Sequence, residues 1–126
     1  MGRRVPSIMM FVKQPWDVAN WYSQWLNLGA IEQIPGGDSV LLSDGSFEAV
    51  FHAADAAKNP WGRSTVIYWA SENISADIET LHRAGATLHR GPLTIAPRRT
   101  ICQMLDPWGN AFGLEGPAEQ QPPNKP

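Results

Sequence analysis

Three histidines, one cysteine and a limited set of carboxylates carry whatever side-chain chemistry this 126-residue chain performs. In the run FEAVFHA, strand alternation places Glu48, Val50 and His52 on one face and Phe47, Ala49 and Phe51 on the other. The second set has the composition of a core, so Glu48 and His52 look the other way. An imidazole there is either a satisfied polar residue of a half-buried strand or a hydrogen-bonding group for a ligand. Glutamate is seldom buried unpaired, so Glu48 and Glu115 are either solvated or acceptors for a cationic or amide ligand. Cys102 falls on the face opposite Gln103 and reads as core, since no histidine stands in sequence to activate it as a nucleophile. His82 reads as the exposed side of a helix and His89 as part of a short strand, and neither takes a role. Arg98 and Arg99 follow Pro97 and read as a solvated loop. No Ser-His-Asp pattern, phosphate-binding loop or CxxC pair occurs.

Composition narrows the classes. Hydrophobic residues make up 43% and charged residues 17%, which suits one globular domain with a real core. The net charge of −2 gives no electrostatic footprint for nucleic acid or an anionic membrane, so neither is expected as a partner. No apolar run approaches the roughly 20 residues needed to span a bilayer. The opening MGRRVPSIMMFV reads as a first strand and not as a signal peptide. The lone Cys102 fits a reducing, cytoplasmic setting. Six tryptophans exceed what a surface readily carries, so several fill the core and others line a cavity or a partner surface.

These residues sit on secondary structure that comes in two similar halves. The first reads as strand Ser7–Val12, helix Trp16–Leu28, and strands Ala30–Ile34, Ser39–Ser43 and Phe47–Ala53, with Gly29 ending the helix and Asp44-Gly45 marking a hairpin. An irregular linker, Ala54–Arg63, follows. The second half reads as strand Thr65–Ala70, a helix capped by Ser75 and ended by Gly85, a strand Ala86–His89 stopped by Gly91-Pro92, and the hairpin arms Arg99–Leu105 and Ala111–Glu115. This is an internal repeat of βαβββ units, about 5–53 and 64–116, within a single domain 1–116. The polar, proline-rich tail 117–126 has nothing to bury and is expected to be disordered.

Three stretches in order carry a family resemblance: VKQPWDVANWYSQWLNLGA, NISADIETLHRAGATL and DPWGNAFGL. Together they resemble the vicinal oxygen chelate superfamily of glyoxalases, extradiol dioxygenases and bleomycin-resistance proteins. The resemblance implies an α+β fold, two βαβββ modules forming a curved mixed sheet with helices on the convex side and the site on the concave side. Alternation then turns Ser7, Met9 and Phe11 toward the cavity, with Val66, Tyr68, Ile101, Gln103, Ala111, Gly113 and Glu115, while Ile8, Met10 and Val12 pack under the helix.

The family's metalloenzymes hold a divalent ion at four such positions, which bind two adjacent substrate oxygens. Carried over residue by residue, these fall on Ser7, His52, a position near Val66, and Gly113. Only His52 could be a ligand, and one imidazole is not a metal site. Glu48 or Glu115 would complete one only after a register shift of one or two residues. The resemblance is therefore closest to the metal-free bleomycin-resistance type, without cofactor or catalytic residues: a protein that sequesters an aromatic or amphipathic drug or metabolite. Phe11, Trp61 and Tyr68 are the expected walls, and Glu48, His52, Gln103 and Glu115 the polar contacts. Two other readings stand beside it. One is a metal-dependent lyase, isomerase or thiol transferase with displaced ligands. The other is a dimeric interaction module without a ligand. The family commonly builds its sites across two chains, which implies a homodimer.

Overall fold

The computed structural model describes residues 2–3 and 5–118. From residue 119 on, the expectation of a disordered tail falls outside the described residues. The chain divides into two compact units, the first ending at Gly62 and the second beginning at Arg63. Each holds one helix and one four-stranded mixed sheet, as two βαβββ modules require. Among the described residues no helix is long and apolar enough to cross a membrane.

In the first unit β1 (Ser7–Val12), α1 (Pro15–Leu26), β2 (Ala30–Gln33), β3 (Ser39–Ser43) and β4 (Glu48–Ala53) give the sheet order β1-β4-β3-β2. β1 runs parallel to β4, and the other pairs are antiparallel. Pro15 starts α1, where a missing N–H costs nothing, and Asp17 lies in the first turn, favourable to the helix dipole. Val18, Ala19, Trp21 and Tyr22 form its buried face. Beneath them lie Val12, Val40, Leu42, Ala49 and Phe51, all buried. The Tyr22 and Phe51 rings meet at 5.2 Å between centroids, a tilted aromatic contact. Burying such a ring is worth about 1.5–3 kcal/mol. The helix ends two residues earlier than the sequence reading places it, because Asn27 takes the left-handed conformation at φ 55°. Gly29 has a different duty. At φ 101° it lies against the backbone carbonyl of Ser43, where a Cβ has no room.

The second unit repeats the plan with β5 (Tyr68–Ala70), α2 (Ile74–Arg83), β6 (Thr87–Ala96), β7 (Arg99–Leu105) and β8 (Ala111–Gly116), in the order β5-β8-β7-β6. Ile74 and Leu81 of α2 are buried, as are Cys102, Met104, Phe112 and Leu114 of the sheet. Several boundaries differ from the sequence reading. Asn73, not Ser75, caps α2, its side-chain oxygen accepting the Ala76 N–H at 3.0 Å. β5 begins only at Tyr68. β6 does not stop at Gly91-Pro92 but continues to Ala96. It is an edge strand paired only with β7, and its register shifts on both sides of Arg90. Edge position and bulges are the circumstances in which a strand tolerates proline.

The turn between β7 and β8 is clasped by its own side chains. Asp106 is 4% exposed, and its Oδ1 accepts the backbone N–H groups of Trp108 and Asn110, each at 2.9 Å. The Asn110 amide donates to Oδ2 at 2.8 Å. Gly109 supplies the left-handed residue at φ 85°, and Arg63 donates to its carbonyl at 2.8 Å. The DPWGN sequence is thus a rigid corner that fixes the register of β7 on β8.

Candidate functional site

Each sheet keeps one face under its helix and leaves the other open. The register of each unit decides which side chains share a row on the open face.

In the first unit His52 pairs across to Phe11 on β1 and to Ser39 on β3. The Phe11 and His52 rings meet edge to face at 5.8 Å. His52 Nδ1 lies 2.8 Å from the Ala53 carbonyl oxygen. A carbonyl only accepts, so Nδ1 donates to it, and Nε2 is the ring's remaining polar atom. Two of the expected site residues are therefore together. Glu48 is not with them. It stands at the other end of β4, opposite Ser7, and lines a polar surface cleft with Ser43 and Ser46. Trp61 lies in the stretch after β4 and stacks under the Lys13 ammonium at 4.8 Å.

In the second unit one lateral row crosses all four strands. Tyr68 pairs with Gly113, Gly113 with Gln103, and Gln103 with Arg90. Gly113 is the low point of the row. With no Cβ to hold it away, the Tyr68 ring leans across the glycine into the space a side chain would take. Its hydroxyl accepts the Gln103 amide at 2.8 Å. Having accepted, the phenol keeps its own proton to donate elsewhere. Beside the row lies a cleft of about 260 Å³, walled by Pro92, Leu93 and Ile101 and including Arg90. Glu115, on the same face, is already engaged. Arg99 holds it through a two-pronged ion pair at 2.8 and 3.1 Å. The Glu115 carboxylate raises the guanidinium pKa above its ordinary value, through hydrogen bonding first and charge second. Arg99 opens β7, as the hairpin arm Arg99–Leu105 predicts, but its side chain has a partner instead of being merely solvated. Burial pushes the Cys102 thiol up, consistent with its place in the core.

The sequence reading missed Arg90 and the part played by Gly113. Arg90 was hidden because Gly91-Pro92 read as the end of its strand. Only the bulged register sets Arg90 opposite Gln103. Gly113 did carry a signal, a glycine in the middle of a strand, which often marks a close approach of another group.

The metal positions implied by the resemblance do not fit an ion. Ser7 is opposite Glu48 and His52 is opposite Phe11, so the two are four residues apart along the β1–β4 pair, ~13 Å at strand rise. Bonds from one ion to nitrogen or oxygen ligands are about 2 Å long. Val66 offers no donor atom, and Gly113 lies beneath Tyr68. Among the described residues, no group of three His, Cys, Asp or Glu side chains converges as a metal site.

Comparison with known proteins agrees with the architecture. Solved structures with the same fold include a glyoxalase/bleomycin resistance protein/dioxygenase family enzyme from Burkholderia phytofirmans PsJN, at 17% identity and TM-score 0.69, covering 87% of this chain and 95% of that one. A superfamily member from Sphaerobacter thermophilus DSM 20745 matches at 18% identity and TM-score 0.71, covering 90% and 96%. TnmS3, an antibiotic binding protein from Streptomyces sp. CB03234, matches at 19% identity and TM-score 0.68, covering 92% and 97%. A comparison with curated proteins found no match. The model of the Glyoxalase/Bleomycin resistance protein/Dioxygenase superfamily matches residues 4–114, and with both modules and their order in place the chain belongs to that superfamily.

Proposed function

We propose that this protein binds a small organic molecule, an aromatic or amphipathic drug or metabolite, without a metal ion. The observation that carries the reading is the open face of the second unit. At the position where the superfamily's metalloenzymes place their last ligand, this chain has Gly113, and a tyrosine held by a glutamine fills the space. The result is an aromatic and polar surface suited to an organic ligand. The first unit supports the same reading with the paired Phe11 and His52 rings and the second imidazole nitrogen, which the Ala53 contact does not use. The fold is shared with a protein described as antibiotic binding.

A thermal-shift and tryptophan-fluorescence screen tests this, using aromatic antibiotics and metabolites on chelator-treated protein. Saturable shifts with organic compounds, and none with Mn, Ni, Zn or Fe(II), are expected. Stoichiometric metal together with metal-dependent turnover of a glyoxalase-type substrate would overturn the reading. Removing Glu48 and His52 together should weaken any ligand that uses the first unit, and unchanged affinity would remove them from the site.

A further inference from the structure

We propose that the Tyr68–Gln103–Arg90 row and its adjoining cleft recognise a small aromatic carboxylate. The proposal rests on the small-molecule reading above and names the ligand class for one face.

Three observations lead there. First, the row presents donors. Tyr68 accepts from Gln103 and so retains its O–H for a ligand. Arg90 stands opposite Gln103 with a full guanidinium fork. Among the described residues no ion pair or side-chain hydrogen bond engages Arg90. A planar fork beside a phenol O–H matches the two oxygens of a carboxylate better than a single neutral acceptor.

Second, the carboxylate that could have neutralised this cation from the same face is occupied elsewhere. Glu115 is held at both oxygens by Arg99. That pair removes the nearby negative charge which would otherwise repel an anion. The protein's net charge is −2, so the positive row is a local feature and not a general basicity.

Third, the cleft is apolar next to the donors. Leu93 is 60% exposed, and Pro92 and Ile101 continue its surface. An exposed apolar wall beside aligned donors is what an aromatic acid would cover. The volume of about 260 Å³ sits at the small end of ligand pockets, enough for one or two rings. The register shifts around Arg90 are the structural device, since a bulge re-aims a strand side chain.

The test is a titration of the full chain with 2-naphthoate and with its neutral analogue 2-naphthamide, followed by backbone amide NMR. We expect 2-naphthoate to perturb the amides of Leu93, Ile101 and Gln103, and to bind about tenfold more tightly than the amide, as a charge-assisted pair would. Arg90→Gln should erase that preference, and Tyr68→Phe should reduce affinity several-fold. Arg83→Gln removes a cation from the outer surface of α2 and should leave both affinities unchanged. Equal binding of the two probes at these residues would overturn the carboxylate assignment and leave small-molecule binding standing. No perturbation at the row with either probe at saturating concentration would overturn the site itself. Loss of preference in Arg83→Gln equal to that in Arg90→Gln would overturn it too, since general charge would then explain the binding. If the broader screen also yields no ligand, the small-molecule reading falls with it.

Discussion

The two modules solve the same packing problem and then diverge on the face that packing leaves free. Under their helices both sheets are alike. Val40, Leu42, Ala49 and Phe51 fill one core, and Cys102, Met104, Phe112 and Leu114 fill the other. On the open faces the central rows differ. Met9, Val50, Leu41 and Glu32 cross the first sheet, while Tyr68, Gly113, Gln103 and Arg90 cross the second. The decisive position is the middle of the last strand. Val50 carries its own side chain between Met9 and Leu41. Gly113 leaves a gap, and a tyrosine from the next strand enters it. The missing Cβ lets Tyr68 cross the row and meet Gln103 in a hydrogen bond, which the first sheet's row has no counterpart for at Met9 and Leu41. The comparison teaches that a repeated scaffold keeps its helix-facing residues for stability and varies the opposite alternation for chemistry.

The hairpins show the same asymmetry. Asp44 at the first turn is exposed, with Oδ1 accepting from the Ser46 backbone at 2.9 Å, its hydroxyl at 2.7 Å and the Phe47 backbone at 3.2 Å. Asp106 at the second turn makes comparable bonds inside the protein.

The largest expected effect breaks the contrast at its centre. Gly113→Ala should destabilise the chain by about 1–3 kcal/mol, because the new methyl group collides with the Tyr68 ring. His52→Ala on the first open face should cost clearly less. Urea unfolding of both variants checks this, and equal losses would erase the distinction between the rows. Next comes the pair of turns. Asp106→Ala strands two backbone N–H groups and a buried amide, and should cost about 1–3 kcal/mol. Asp44→Ala, at a solvated turn, should cost less.

Acid sharpens the same pair. The Ser46 backbone and hydroxyl hold the Asp44 carboxyl below its ordinary 3.8, with a weaker contribution from the Phe47 N–H. Its folded pKa is depressed, so its contribution is complete above pH 3.8 and fades as pH falls through the folded value. Asp44→Asn should therefore flatten stability only in that acid range, as thermal melts across pH would show. The smallest effect concerns reactivity. Cys102 should alkylate at least about tenfold more slowly in folded than in unfolded protein at mildly alkaline pH. Fast labelling of the folded chain would contradict its place in the core.

Much of this fold was legible because alternation is a local property. The pattern of EAVFHA alone put Ala49 and Phe51 inside and His52 outside, and the burial agrees. The same logic placed Cys102 opposite Gln103. What escaped depended on partners distant in sequence. Nothing in TLHRGPLTIA announces that the strand runs through Gly91-Pro92, because an edge position is set by the rest of the sheet. Arg99 read as solvated since its carboxylate lies on the neighbouring strand. Asn73 and Ser75 are both capable caps, and the side-chain bond to the Ala76 N–H forms from the earlier one. At the candidate site, alternation put Tyr68 and Gln103 on one face, and both border the same cleft of the second unit. Their joining across Gly113 was not legible, since cross-strand register decides it.

We propose that these open faces hold an organic molecule and not a metal ion. Elemental mass spectrometry tests it most directly, on tag-free protein incubated in turn with Mn, Ni, Zn and Fe(II) and then desalted. Metal far below one ion per chain is expected for every ion tried. One tightly held ion per chain would contradict it, because a tight site needs about three or more converging ligands that these residues do not bring together.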